Sequence, residues 1–264
     1  MKKIFLLSGL LLITCWSLFA QNKQQLDSLE QELKNPALSV KEKLIVYDDL
    51  SWYYSFFDFN KARQFAYEGI DYAQKNKNKI EAVLYRNLGR AYAEYTLYDS
   101  AEVIYKKALS IAVKNNMSAL ESGLYSAMGD LYNLQCQYDK ALMYYLKSIK
   151  MAENSGDENS MCMNLANIGT MYSNMRNYLK AEKYLLKAKK IAEEIGNKEV
   201  ICNMLINLNN LYNETNRQKE GLNFILEAIE IAKEIENYGS QVTALLSAST
   251  TYQDYYHDYQ KAVD

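Results

Sequence analysis

Proline is nearly absent: Pro36 is the only one in 264 residues. So little use of the ring's fixed turns suits almost continuous helix and disfavours a loop-rich β fold. Histidine is limited to His257, and the four cysteines, Cys15, Cys136, Cys162 and Cys202, form no CxxC pair. That excludes a zinc framework, and the odd number beyond Cys15 argues against a full disulfide scaffold. Small buried residues is the favoured reading for these cysteines, with a Cys162–Cys202 bridge left open. No GxSxG, HExxH, phosphate-cradling glycine loop or EF-hand pattern is present, so we expect no enzyme, cofactor or metal. His257 stands alone in a polar turn and is expected to be exposed. A net charge of −2 gives no case for nucleic acid, which needs concentrated positive charge.

Long apolar runs are confined to the N-terminus. Lys2 and Lys3 precede the mostly apolar stretch Ile4 to Phe19, and Ala20 is a plausible last residue before a cut. Residues 1–20 are therefore read as a signal peptide, with export, most plausibly to a periplasm. The polar Gln21–Gln25 run favours cleavage over a retained anchor. Beyond it no stretch reaches the ~18 apolar residues that span a bilayer, so the mature part is not expected to contact a membrane.

What the chain does contain is tyrosine, 24 against seven phenylalanines, in an ordinary composition of 49% hydrophobic and 23% charged residues. Residues 21–38 read as a helix and a break: Gln21 to Lys34 is a short amphipathic helix with Leu26, Leu29 and Leu33 on one stripe, and Asn35-Pro36 breaks it. Ser39 and Glu42 have the spacing of a capping box that opens the next helix. From there a period of 40 takes over. Gly89, Gly129 and Gly169 fall in step, followed by Asn209 and Ser249. Tyr92, Tyr132, Tyr172, Tyr212 and Tyr252 keep the same spacing, as do Ala101, Ala141, Ala181 and Gly221. Ala108, Ser148, Ala188 and Ala228 add a further column. Within a unit, Tyr85, Leu88, Gly89 and Tyr92 share one helix face, and Asp99 opens a second helix carrying Ala101, Tyr105 and Ala108. Each such pair leaves an apolar face that only the next pair can cover, which builds an all-α solenoid. Trp52, Phe56, Phe57 and Phe59 make the first pair the bulkiest, as expected where a stack is closed off.

Leu-Gly, then Tyr, and later Ala, an aromatic and Ala, resemble the tetratricopeptide repeat over residues 39–264, about six repeats with the last incomplete. The resemblance implies a right-handed superhelix of antiparallel helix pairs. Six residues beyond the usual ~34 per unit make it similar to the kinesin-light-chain and spindle-orientation types. The additions fall either in the helices or in the links marked by Asn115-Asn116, Asn154–Asp157, Gly196-Asn197 and Glu236-Asn237.

In that family the first helices line a concave groove, and an asparagine often meets a bound peptide backbone. The resemblance so points to Asn87, Asn167 and Asn207, where an amide can both donate and accept. The competing reading is that these amides order the stack. On the same face lie Arg86, Arg90, Asp130, Asn133, Thr170, Asn174, Asn210 and Asn213. A strongly acidic ligand is not expected, although Arg86 and Arg90 could take one carboxylate. The expected partner is an extended or helical protein segment. Tyr255–Tyr259 and the end at Asp264 interrupt the last unit and suggest a fragment. The resulting expectation is an exported binding scaffold, plausibly the sensing part of a signalling protein. A free-standing envelope adaptor and the non-catalytic part of an enzyme are the alternatives.

Overall fold

The computed structural model of the chain describes residues 26–254, all helix and short links. The leader, His257 and the interruption of the last unit at Tyr255–Tyr259 lie outside the described residues. Contacts divide the chain into two units, one up to Gln137 and one from Tyr138.

The first unit starts with α1 (26–32). It continues with α2 (Val40–Tyr54), α3 (Phe59–Lys75), α4 (Glu81–Glu94), α5 (Tyr98–Lys114) and α6 (Ser118–Leu134). The second contains α7 (Tyr138–Ser155), α8 (Glu158–Asn174), α9 (Tyr178–Ile195), α10 (Lys198–Glu214), α11 (Gln218–Glu234) and α12 (Tyr238–Asp254). From α5 to α12 every helix has 17 or 18 residues and every link only two or three. The extra residues of the 40-residue period therefore lengthen the helices, not the links.

The links work by backbone geometry. α4 ends with the amide of Thr96 on the Ala93 carbonyl (3.0 Å) and that of Leu97 on the Tyr92 carbonyl (2.9 Å). Thr96 sits at φ 60°, so this is a Schellman turn made without glycine. The same pair of bonds ends α5, where Asn116 and Met117 donate to Val113 and Ala112, and α8, where Arg176 and Asn177 donate to Ser173 and Tyr172. Among the described residues only Gly156 and Gly196 are glycines in the left-handed position, which costs them nothing. The next helix is then capped by a side chain in several links, as when Asp157 accepts from Ser160 N (3.0 Å) and Asn197 from Val200 N (3.2 Å). The capping box of α2 is formed: Glu42 N donates to Ser39 Oγ (3.3 Å) and Ser39 N to Glu42 Oε2 (2.8 Å).

The small-residue columns are where helices touch. Ala101, Ala108 and Ala112 of α5, and Ala181, Ala188 and Ala192 of α9, are fully buried. A Cβ placed on Gly89 would stand 2.6 Å from two ring carbons of Tyr105, and one on Gly169 would stand 2.7 Å from Leu185 Cγ. At the next period the exchange is reciprocal. α10 carries Asn209 where Gly169 stood, and α11 carries Gly221 where Ala181 stood; the position of a Cβ on Gly221 is 3.1 Å from Asn209 Oδ1. Bulk lost on one helix is bulk gained on its neighbour.

Each unit is a stack of antiparallel pairs. Besides sequence neighbours, α2 touches α4 and α4 touches α6; α8 touches α10 and α10 touches α12. No such contact joins α3 to α5, or α7 to α9, among the described residues. The first helices of the pairs thus form the closely spaced row within each unit. The free end of the first unit is closed by α1, whose Leu26, Leu29 and Leu33 pack on Val46, Leu50, Tyr54 and Phe65. It is held by a polar clasp: Glu30 Oε1 accepts from Lys61 Nζ (2.7 Å) and from the Tyr54 hydroxyl (2.5 Å). The expected aromatic closure is only partly realised, because Phe56 and Phe57 are exposed.

The cysteine reading holds for two of three. Cys162 and Cys202 are buried free thiols, donating to the carbonyls of Ala188 (3.0 Å) and Ala228 (3.4 Å) in matching positions of successive pairs. Burial pushes the Cys162 thiol up to about 11, which keeps it unreactive. Cys136 is exposed, because it occupies the left-handed turn after α6.

Candidate functional site

The eleven polar residues singled out on first helices fall into two sets, one per unit. In the first unit, α4 carries Arg86, Asn87 and Arg90, and α6 carries Asp130 and Asn133. In the second, α8 carries Asn167, Thr170 and Asn174, and α10 carries Asn207, Asn210 and Asn213.

Asn87 is fully buried. Its amide nitrogen donates to the Asp48 side chain (2.7 Å), the Asp48 carbonyl (3.1 Å) and Ser51 Oγ (3.0 Å) of α2. Asp48 precedes Asn87 by 39 residues and holds the matching place in the first pair. Every donor of this amide is spent within the stack, so Asn87 orders the stack and is not on the open face. Asn213 is half-buried and partly spent as well, donating to Asn209 Oδ1 (3.4 Å) and Thr251 Oγ1 (3.3 Å). Asn167, Asn207 and Asn133 are half-buried, whereas Asp130, Thr170, Asn174 and Asn210 are exposed.

Two arginines have a setting that the residue pattern did not disclose. The Arg90 guanidinium lies 4.0 Å from the centroid of Trp52 on α2 and 5.2 Å from that of Phe56. Arg86, one turn earlier, is 5.6 Å from the same indole. Phe56 meets Trp52 edge-on at 5.7 Å. Burial lowers the Arg86 guanidinium below its ordinary value, opposed by the Asp48 charge and aided by Arg90. Among the described residues neither arginine is in an ion pair. Trp52 was read from sequence as closing bulk; its place 38 residues before Arg90, close to one period, was the available signal.

A contrasting cluster lies in the second unit. Arg217 gives Nε and Nη2 to Glu220 (2.8 Å each) and Nη1 to Glu182 (2.8 Å), while the Tyr212 hydroxyl donates to Glu182 (2.6 Å). Burial and that bond to Glu182 push the Tyr212 phenol up to about 12. Glu182, Tyr212 and Arg217 line, with Tyr178, Leu179, Leu211 and Thr215, a cavity of about 190 Å³. Its charges are already satisfied by each other. Among the described residues no cluster of His, Cys, Asp and Glu has the form of a metal site, and no helix is long and apolar enough to cross a membrane.

Residues 120–194 match the family model of the tetratricopeptide repeat. Over that segment the chain is similar to tetratricopeptide repeats. Its repeats extend in register on both sides of the matched segment, as the 40-residue columns require. No curated protein matches the chain. Solved structures with the same fold include NprR in complex with its cognate peptide NprX, at 18% identity over 90% of this chain and 68% of that one, TM-score 0.67. A signal-transduction ATPase with a tetratricopeptide-repeat sensor from Pyrococcus horikoshii aligns at 19% identity and TM-score 0.62. That match covers 90% of this chain, which spans only 38% of the ATPase. Kinesin-light-chain repeats from Podosopora anserina align at 12% identity over 75% of this chain and 99% of theirs, TM-score 0.56. At these identities the likeness concerns the fold.

Proposed function

We propose that this repeat scaffold binds a peptide segment of another protein along the first helices of its second unit, α8 and α10. The observation that carries the reading is periodic. Thr170 and Asn210 are exposed at matching places, with half-buried Asn167 and Asn207 one turn away at matching places too. A ladder of amides and hydroxyls repeated at the helix spacing suits an extended backbone, whose own donors and acceptors also repeat. NprR, whose structure holds its cognate peptide NprX, shares the fold, and that likeness supports a peptide as the partner class. The basic and apolar leader at residues 1–20 supports export, and a sensing role for the exported array is the reading we favour. A peptide-display selection on the immobilised chain tests the binding claim. Selected peptides should lose about ten-fold or more in affinity to the double change Asn167→Ala with Asn207→Ala, as loss of two hydrogen bonds implies. Unaltered affinity would remove the amide ladder from the site.

A further inference from the structure

Leu146 of α7, Leu186 of α9 and Leu226 of α11 stand 40 residues apart on the second helices of the second unit. Each is between 41% and 49% exposed, whereas the residue before it (Tyr145, Leu185 or Ile225) is buried in the stack. Met143 and Leu179 are exposed on the same face, one or two turns earlier on α7 and α9. A single exposed leucine is ordinary, but a column repeated on three successive pairs makes a continuous apolar stripe. The charges beside it reverse from one edge to the other. On α7, Asp139, Lys147, Lys150 and Glu153 are exposed; the same places on α11 hold Lys219, Glu227, Glu230 and Lys233, exposed as well. At each of these places the sign is opposite. Within α11, Glu230 already meets Lys233 at 2.9 Å, an exposed pair of the kind that contributes little.

We infer that this face of the second unit binds the same face of a second copy of the chain. A two-fold axis along α9, in the plane of the face, lays α7 of one copy over α11 of the other with their ends in step. Leu146 then meets Leu226 of the other copy, and Leu186 meets its own counterpart. Asp139 faces Lys219, Lys147 faces Glu227, Lys150 faces Glu230 and Glu153 faces Lys233, and the symmetry repeats each pair. An axis across the helices would instead set α7 against α7, with Asp139 opposite Glu153 and lysine beside lysine, so charge selects the first arrangement. Three helices side by side, each about 26 Å long and about 10 Å across, present on the order of 800 Å², one side of a stable interface. The cost falls on α9, whose Lys183, Lys187 and Lys190 lie near the axis; Lys190 has Glu194 beside it at 3.7 Å. The first helices α8 and α10 stay uncovered, so this pairing goes beyond the peptide reading and does not depend on it.

Sedimentation equilibrium of the full chain tests this, from about 1 to about 100 µM, where an interface of this size associates. The expected result is a monomer–dimer equilibrium. Two charge reversals then probe the pairing: Lys147→Glu with Lys150→Glu in one variant, and Glu227→Lys with Glu230→Lys in another. Each alone should raise the dissociation constant about ten-fold or more, because like charges now face each other. An equimolar mixture of the two variants should dimerise again, as mixed pairs, because an acidic α7 then meets a basic α11. Recovery on mixing would not follow from a lost fold or from association through residues 1–20. Leu186→Asp should abolish the dimer in either background. A monomer at every concentration overturns the inference and leaves the face to a different protein. Association that ignores the charge reversals, or that fails to return in the mixture, overturns it too.

Discussion

Tyr105 of α5 lies against the bare backbone of Gly89 on α4, so close that a Cβ there would stand 2.6 Å from both Cδ1 and Cε1 of the ring. The ring is buried and has no room to retreat. Gly89→Ala should therefore destabilise the protein by about 1–2 kcal/mol, the overpacking cost less the better helix propensity of alanine. Gly123 of α6 has nothing within 4 Å of the same added atom. Gly123→Ala should stabilise by about 0.5–1 kcal/mol. Thermal melts of the two variants should move in opposite directions; a shared direction would contradict the packing described.

Asn209 and Gly221 are a compensated pair, because the place of a Cβ on Gly221 is 3.1 Å from Asn209 Oδ1. Asn209 is buried with its amide nitrogen unpartnered. Gly221→Ala combined with Asn209→Gly should be more stable than the sum of the single changes by about 1 kcal/mol, within the usual range for contacting residues. Denaturant melts of the four proteins measure this coupling, and simple additivity would contradict it.

Asn87 should matter for stability. Asn87→Ala strips partners from Asp48 and Ser51 inside the stack, a loss of about 1–3 kcal/mol. A lowered unfolding midpoint is the expected readout, and an unchanged one would place this amide elsewhere.

Acid should loosen the α1 clasp. Burial raises the Glu30 carboxyl, but its bonds from Lys61 and Tyr54 outweigh that and leave it below the ordinary 4.5. A depressed carboxylate contributes stability above its unfolded value and loses it as pH falls through the folded one. Glu30→Gln should thus cost about 0.5–1 kcal/mol near neutral pH, the scale of a partly exposed pair, and the difference should vanish as pH falls below about 4.5. Melts at pH 7 and pH 3 check this; an equal difference at both would remove the ionised clasp.

The period of the small residues made the helix pairs legible before any coordinates, because close approach forces Gly or Ala wherever two axes touch. Leu26, Leu29 and Leu33 likewise disclosed α1, and Ser39 with Glu42 disclosed the start of α2. The fate of polar side chains was less legible. Asn87 and Asn207 occupy the same column, yet only Asn87 is fully buried, since α2 happens to offer it Asp48 and Ser51. Trp52 read as closing bulk because nothing in a single sequence says which neighbour will stack on an indole. Cys136 read as core because a left-handed turn is so often marked by glycine or asparagine, and here it is not.

The central claim is that a peptide lies along the first helices of the second unit. Amide hydrogen exchange on the full chain, with and without a display-selected peptide, tests it most directly. The account predicts new protection on α8 and α10, with α9 and α11 unchanged. Protection confined to α9 and α11, or none at a saturating concentration, would contradict it.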